Sequence, residues 1–215
     1  MSKLNTPRFV VVEGPIGVGK TSLTRRLAES LQGETLLEGA EENPFLERFY
    51  EDPRQGALPT QLFFLFQRAQ HLLQLRQSDL FAPVRVGVFM MVKVRLFAQI
   101  TLDDDELRLY ELAYSSLTLD IPRPDLVIYL QAPVNVLLSR VQKRGRTIER
   151  GIDANYLEEL VDAYTRFFHY YNETPLLIVN ATEIDLVNNE RDYDMLLQRV
   201  YEIRSGRHYF NPVPF

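Results

Sequence analysis

Residues 9–21 read Phe-Val-Val-Val-Glu-Gly-Pro-Ile-Gly-Val-Gly-Lys-Thr, and this stretch decides the fold. Its first five residues form a short apolar, β-branched run that Pro7 and Gly14 bound. A run of this length and composition predicts a strand buried on both faces, which is typical of a parallel sheet.

The glycine-rich segment that follows satisfies the pattern G-x-x-x-x-G-K-[ST], and leucines at every fourth position predict a helix over residues 20–31. Glycines in such a turn let the backbone N–H groups point inward, and the helix N-terminus adds positive potential. Lys20 would reach the β- and γ-phosphates of a nucleotide, and the Thr21 hydroxyl would ligate Mg²⁺. The sequence therefore predicts a site for Mg²⁺ and the phosphates of a nucleotide, formed by Gly14, Pro15, Ile16, Gly17, Val18, Gly19, Lys20, Thr21 and Ser22.

Outside this segment, short apolar runs alternate with helical patterns. The predicted strands are residues 35–38, 84–89, 125–130 and 176–179, and the predicted helices are residues 58–77, 106–117, 134–144, 156–171 and 193–204. This alternation predicts an α/β fold, with a parallel sheet covered by helices on both faces. No repeat or linker divides the chain, so we expect residues 1–215 to form a single domain.

The composition excludes several classes of protein. The 215 residues include no cysteine and only three histidines, which argues against disulfides, thiolate zinc sites and histidine metal cages. The net charge of −5 disfavours binding to long nucleic acids. The longest apolar run, residues 86–92, is too short to span a membrane, and the start MSKLNTPRF lacks the apolar region of a secretory signal. We therefore expect a cytoplasmic protein.

A P-loop alone does not distinguish a kinase from a GTPase or an ATPase. The chain contains no N-K-x-D segment, which a switch GTPase needs to read guanine. Motor and transporter ATPases place an aspartate at the end of a core strand, whereas Val88 and Leu130 occupy the candidate positions here. Both observations favour a kinase.

Six segments together resemble the deoxynucleoside kinases, most closely the bacterial deoxyadenosine/deoxyguanosine kinase branch. They are EGPIGVGKTS (13–22), EENPFLERFY (41–50), QLFFLFQRAQ (61–70), RLFA (95–98), RVQKRGRTIERG (140–151) and RHYFNP (207–212). The resemblance implies a P-loop kinase fold with a five-stranded parallel sheet, an arginine-rich lid at about residues 140–151 and a helical dimer interface. It also implies transfer of the ATP γ-phosphoryl group to the 5′-hydroxyl of a deoxynucleoside.

Glu38 stands at the end of the second predicted strand and matches the catalytic base of the family. Strand carboxyl ends carry ligands in open α/β sheets, although position alone also allows a solvated glutamate in an acidic loop. Arg140, Arg144 and Arg146 match the lid arginines, whose guanidinium groups suit phosphate oxygens, and a solvated basic helix end is the alternative. Glu149 matches the lid glutamate that binds the sugar 3′-hydroxyl.

The resemblance also supplies residues for the nucleoside. Tyr50 matches the tyrosine partner of the lid glutamate. Gln61 and Arg68 are seven positions apart and so lie on one helical face. They match the base-reading pair, and the alternative from periodicity is the solvent stripe of an amphipathic helix. Phe97 matches the base-stacking position.

The third predicted strand departs from the family pattern. The family carries a carboxylate at its end that helps hold Mg²⁺, but Gly87 or Val88 stands there, and no acidic residue lies between Asp79 and Asp103. Valine cannot ligate a hard cation, so Mg²⁺ would keep Thr21, the nucleotide phosphates and water, with Glu38 as a further candidate. Three hypotheses stay open: an active deoxynucleoside kinase, an impaired nucleotide-binding subunit that pairs with an active relative, and a nucleoside monophosphate kinase.

Overall fold

A computed structural model of the chain describes residues 6–76, 83–117, 122–149, 151–186 and 189–212. The strands are β1 (Phe9–Glu13), β2 (Glu34–Leu36), β3 (Arg85–Gly87), β4 (Leu126–Gln131), β5 (Leu176–Asn180) and β6 (Arg207–Phe210). The helices are α1 (Lys20–Ser30), α2 (Leu46–Glu51), α3 (Pro53–Arg76), α4 (Met91–Thr101), α5 (Asp104–Leu117), α6 (Val134–Arg144), α7 (Ala154–Tyr170) and α8 (Glu190–Glu202). Two 3₁₀ turns cover Ala40–Glu42 and Thr147–Glu149.

The strands form one parallel sheet in the order β2-β3-β1-β4-β5-β6. The expected parallel α/β architecture is confirmed, but the predicted number of five strands is wrong. The sixth strand, β6, pairs with β5 at the sheet edge and leaves His208 and Tyr209 exposed. An edge strand of this kind is held by backbone hydrogen bonds rather than by an apolar run, so hydrophobic patterning did not reveal it.

Helices cover both faces of the sheet. Val10 and Val12 of β1 face a core that α1, α6 and α8 complete, whereas Val11 faces a core shared with α7. A third apolar cluster contains residues of the four helices α2, α3, α4 and α5 and lies beyond the β2–β3 end of the sheet. Among the described residues, no helix combines the length and apolar character that crossing a membrane requires.

Some element boundaries differ from those predicted. β2 ends at Leu36, so Glu38 lies in the following loop rather than in the strand. The α3 helix begins at Pro53, whose fixed φ suits a first helical turn, and the predicted end at Gln77 lies outside the described residues. The α2 and α4 helices were not predicted: α2 has only six residues, and α4 begins inside the apolar run 86–92, which resembles a strand.

The carboxyl ends of the parallel strands lie along one edge of the sheet. Along this edge the P-loop follows β1, the loop that holds Glu38 follows β2, and the start of α4 follows β3. The fold thus brings three segments together that lie far apart in the sequence.

Candidate active site

The P-loop connects β1 to α1 in the conformation that the motif predicts. Gly17 and Gly19 have φ values of 85° and 105°, which side-chain-bearing residues rarely adopt. A Cβ atom at Gly17 would also lie 2.8 Å from the Leu137 carbonyl oxygen. The α1 helix begins at Lys20 with no side-chain cap, so its first N–H groups lie at the mouth of the loop. This arrangement fits a nucleotide phosphate chain.

Lys20 turns its side chain into its own loop. Its Nζ donates to the carbonyl oxygens of Gly14 at 2.8 Å and Pro15 at 2.9 Å. Burial, with Lys93 nearby, lowers the pKa of Lys20 to about 7. The loop carbonyls are neutral acceptors. An incoming phosphate would be a negatively charged one, which forms stronger hydrogen bonds with an ammonium group.

A cavity next to the P-loop brings most of the predicted site residues together. We call it the central cavity; its lining includes Lys20, Thr21, Glu38, Tyr50, Gln61, Phe64, Arg68, Lys93, Phe97, Arg144, Arg146 and Glu149. Segments 20–21, 38–50, 61–68, 93–97 and 144–149 are therefore adjacent in the fold.

Arg140 and Ser22 lie elsewhere. Both line a second recess on the other side of the P-loop, together with Val18 and Lys143. The guanidinium of Arg140 donates to the carbonyl oxygens of Ala181 at 2.8 Å and Val18 at 3.5 Å. The structure thus separates Arg140 from Arg144 and Arg146, although all three belong to one sequence motif.

Glu38 is held inside the central cavity by two cations. Its Oε1 accepts from Arg68 Nη2 at 2.9 Å and from Lys93 Nζ, and its side chain is 18% exposed. Burial alone would raise the pKa of Glu38, but Arg68, Lys93 and Lys20 outweigh this effect and bring the pKa to about 2. Glu38 is therefore an ionised carboxylate and not a solvated loop residue.

Sequence reasoning missed two buried charged residues beside Glu38. Lys93, at the start of α4, is 4% exposed. Glu13, at the end of β1, is fully buried and accepts hydrogen bonds from the Met90 N–H at 2.9 Å and the Tyr164 hydroxyl at 3.1 Å. Burial raises the pKa of Glu13. In the sequence Glu13 ends one apolar run and Lys93 interrupts another, which is a signal that could have identified both.

The α3 and α4 helices line the far end of the cavity. Gln61 and Arg68 are 2% and 4% exposed, so they do not form a solvent stripe. Gln61 Oε1 and Arg68 Nε are buried and have no hydrogen-bond partner among the described residues. The Arg68 guanidinium lies 4.6 Å over the Phe64 ring, and Phe97 projects from α4 into the same space. Buried polar atoms without partners are rare, and both of these residues line the central cavity, where a bound ligand would supply the missing partners.

The segment around the second 3₁₀ turn adds further charges. Arg144 donates to both carboxylate oxygens of Glu149, from Nε at 3.0 Å and from Nη2 at 2.6 Å. Arg146 forms an ion pair with Glu41, with 3.2 Å between Arg146 Nη1 and Glu41 Oε1. Tyr50 packs against Phe49 and Tyr156, and burial raises its pKa.

The end of β3 offers no carboxylate. Val88 is 2% exposed and packs in the apolar cluster of α2 to α5. The described residues contain no group of three or more His, Cys, Asp or Glu that could hold a metal. The donor set still fits Mg²⁺ that arrives with a nucleotide, because Mg²⁺ commonly takes one or two protein ligands and fills its shell with phosphates and water. Thr21 is the protein ligand available at the P-loop.

A wider groove of 520 Å³ lies over the ends of β4, β5 and β6. Its described lining has no charged side chain, and its Asn180 and Asn211 are hydrogen-bonded to each other at 2.8 Å. The central cavity, rather than this larger groove, therefore contains the groups needed for chemistry on phosphates.

Comparison with known proteins gives a consistent assignment. A family model described as deoxynucleoside kinase matches residues 10–204. The deoxyguanosine kinase of Bacillus subtilis (strain 168) is 33% identical over 208 residues, covering 93% of this chain and 99% of that protein. The deoxyadenosine/deoxycytidine kinase of the same organism is 27% identical and covers 91% and 92% of the two chains.

Solved structures show the same fold. A deoxyadenosine kinase from M. mycoides, with the products dCMP and a flexible dCDP bound, superposes with a TM-score of 0.78 at 24% identity. The alignment covers 91% of this chain and 100% of that one. The same kinase with bound dATP also gives a TM-score of 0.78, with 90% and 98% coverage.

Proposed function

Because the chain belongs to the deoxynucleoside kinase family, we propose that it transfers the γ-phosphoryl group of ATP to the 5′-hydroxyl of a purine deoxynucleoside, as in nucleotide salvage. One observation carries the proposal: a single cavity joins the P-loop lysine and an ionised carboxylate to buried polar atoms that lack partners. The phosphate donor and the nucleoside acceptor would therefore meet inside it. Residues 1–215 act as one kinase domain in this proposal.

Phosphoryl transfer depends mainly on positioning and charge neutralisation. The P-loop N–H groups and Lys20 bind the β- and γ-phosphates of ATP. Glu38 accepts the proton of the 5′-hydroxyl as O5′ attacks the γ-phosphorus. The bond between that phosphorus and the β–γ bridging oxygen breaks, and ADP leaves. With a pKa of about 2, Glu38 is ionised at neutral pH and so carries no proton of its own when the hydroxyl arrives.

The lid, at about residues 140–151, supplies further charge. Arg144 and Arg146 neutralise the oxygens of the transferring group, as arginine forks do in phosphate sites. Glu149 and Tyr50 hold the sugar 3′-hydroxyl. Arg144 is bonded to Glu149 in this structure, so it has to exchange that carboxylate for phosphate oxygens when ATP binds. Arg140 supports the P-loop through the Val18 carbonyl on its other side.

Mg²⁺ would be held by Thr21 and the nucleotide phosphates, and it would neutralise charge on the β- and γ-oxygens. The described residues would then supply one side-chain ligand to the metal. Lys20, Arg144 and Arg146 then carry more of the neutralisation than they would beside a second protein ligand.

The test is a direct assay of the purified protein with ATP, Mg²⁺ and each of the four deoxynucleosides. A deoxynucleoside 5′-monophosphate should form, with equimolar ADP. If the protein phosphorylates nucleoside monophosphates and no nucleoside, it is a nucleoside monophosphate kinase. If it binds ATP and turns over neither acceptor, the proposed activity is wrong.

A catalytically impaired subunit is the second candidate, because Val88 and Gly87 leave the end of β3 without an acid. We expect Gly87→Asp or Val88→Asp to raise the Mg²⁺-dependent rate without tightening nucleoside binding. Val88→Asp should also lower the melting temperature, because it buries a charge in an apolar cluster. Gly87→Asp introduces no steric clash at its Cβ atom, which would make only ordinary van der Waals contacts, the nearest at 3.5 Å from the Phe9 ring.

Steady-state rates across a Mg²⁺ titration, with melting temperatures, check this prediction. Unchanged rates in folded variants would mean that Thr21 and the nucleotide hold the metal well enough. A parent protein without turnover that neither variant rescues would instead support the impaired subunit.

The acidity of Lys20 predicts a pH dependence of ATP binding. Its pKa of about 7 in the free protein should rise once phosphates surround it, so binding above pH 7 takes up a proton. The affinity for ATP should therefore fall as pH rises above 7, by up to about tenfold per unit. Calorimetry in buffers of different ionisation enthalpy measures the proton uptake, and Lys20→Arg should abolish it. A flat profile for the parent would contradict the prediction.

The exposed apolar residues of α3 and α5 support a homodimer. Phe66 and Leu73 on α3, and Leu109 and Leu112 on α5, are between 38% and 69% exposed, and the two helices pack against each other. Light scattering should give twice the chain mass, and Leu112→Arg should shift it toward the monomer. A parent protein that is monomeric alone and associates with a related kinase would indicate a heterodimer.

A further inference from the structure

One end of the central cavity is lined by two facing helical stripes, which we call the base pocket. Gln61, Phe64 and Arg68 of α3 form one stripe, with spacings of three and four residues. Lys93 and Phe97 of α4, four residues apart, form the other, and Lys93 Nζ lies 5.9 Å from the centre of the Phe97 ring. A planar ligand lying between these helices meets aromatic rings and polar groups together.

The polar groups of the base pocket are mostly donors. Arg68 has five N–H groups and Lys93 has three, and neither has an acceptor atom. Glu38 Oε1 takes one bond from each cation, and Arg68 Nε is left buried without a partner. Gln61 Oε1 is a buried acceptor with no partner among the described residues, and the neighbouring Thr60 hydroxyl, which can donate or accept, is also buried without one. A matching ligand must therefore bring acceptors to the two cations and a donor to Gln61.

Resting on the proposed function, we propose that the base pocket selects a 6-oxopurine, such as guanine or hypoxanthine, over adenine, and that Lys93 makes this selection with Arg68. Guanine presents O6 and N7 as adjacent acceptors, which suit the two cations, and its N1–H suits Gln61 Oε1. Adenine places an amino group where guanine has O6, so its N–H groups would face cations and leave buried donors unpaired. Cytosine has the same fault, and thymine lacks an acceptor corresponding to N7.

Sequence similarity does not select the base. The relatives are named for deoxyguanosine in one case and for deoxyadenosine and deoxycytidine in the other. The proposal therefore depends on the charges and unpaired atoms of this pocket. A site built to hydrogen-bond one base rejects a base that cannot complete those bonds, because its buried groups stay unpaired.

The test measures binding of deoxyguanosine, deoxyinosine, deoxyadenosine and thymidine by calorimetry without ATP, so it does not depend on turnover. Deoxyguanosine and deoxyinosine should bind with similar affinity, and at least about tenfold more tightly than the other two. Equal or tighter binding of deoxyadenosine would overturn the proposal. So would loss of deoxyinosine binding, because it differs from deoxyguanosine only in the N2 amino group.

A variant then tests Lys93 itself. Lys93→Met keeps the bulk of the side chain and removes its donors, so the affinity for deoxyguanosine and deoxyinosine should fall about ten- to hundredfold. The affinity for deoxyadenosine should change much less. Arg95→Met is the matched control, since Arg95 lies on the same helix but is exposed and pairs with Glu111. Equal losses for all nucleosides would show that Lys93 does not select the base.

Two further measurements complete the test. Lys93→Gln gives a second, more polar variant in case Lys93→Met fails to fold, and it should flatten the preference because an amide both donates and accepts. The product assay described above reports separately on the proposed function. A protein that phosphorylates deoxynucleosides without preferring the oxo base would keep its function and lose this inference.

Discussion

Lys20→Ala is expected to raise the dissociation constant for ATP by about 100- to 1,000-fold, because the variant loses two or more charge-assisted bonds to phosphate. Among the described residues no carboxylate forms an ion pair with Lys20, whose hydrogen bonds go to the carbonyl oxygens of Gly14 and Pro15. The truncation removes a nearby cation from Glu38, but Glu38 keeps its direct partners Arg68 and Lys93. The melting temperature should not fall, since burial already disfavours the charged lysine.

Nucleotide titration by calorimetry, with thermal unfolding in parallel, measures both effects. Arg199→Ala is the matched control, because it removes an exposed cation of α8 that pairs with Glu202 and does not line the central cavity. A Lys20→Ala protein that binds and turns over ATP like the parent would show that the P-loop is not the nucleotide site.

Glu38→Gln is expected to lower kcat by about 100- to 10,000-fold, because an amide cannot accept the proton of the attacking hydroxyl. ATP binding should change far less. The variant should also be less stable, because Arg68 and Lys93 would lose the carboxylate that pairs them inside the cavity. Single-turnover kinetics separate the chemical step from binding.

Glu47→Gln serves as the control, since Glu47 is exposed on the neighbouring α2 helix. The pH profile gives a second readout for the parent protein. With a pKa of about 2, Glu38 stays ionised throughout the mildly acidic range, so it should cause no loss of kcat/KM between neutral pH and about pH 4. An unchanged kcat in Glu38→Gln would exclude Glu38 as the base.

The sequence alone determined the elements whose signals are local. The β1 strand, the P-loop and α1 are contiguous in the sequence. One short segment therefore contains the strand, the glycines that allow the turn, and the lysine that follows them. The alternation of apolar runs and helical patterns predicted a parallel α/β sheet, which the structure confirms. The predicted number of strands was too low by one, because β6 is held at the sheet edge by backbone hydrogen bonds and has no apolar run in the sequence.

Only the tertiary structure decided which charges meet. The spacing of Gln61 and Arg68 allowed a solvent stripe as readily as a pocket, because periodicity within one helix does not show what packs against it. The packing of α4 against α3 buries both residues and brings Lys93 to Glu38, 55 positions away in the chain. Burial strips water from these groups, so the pKa of Glu38 and the unpaired atoms of the base pocket arise from contacts between distant segments.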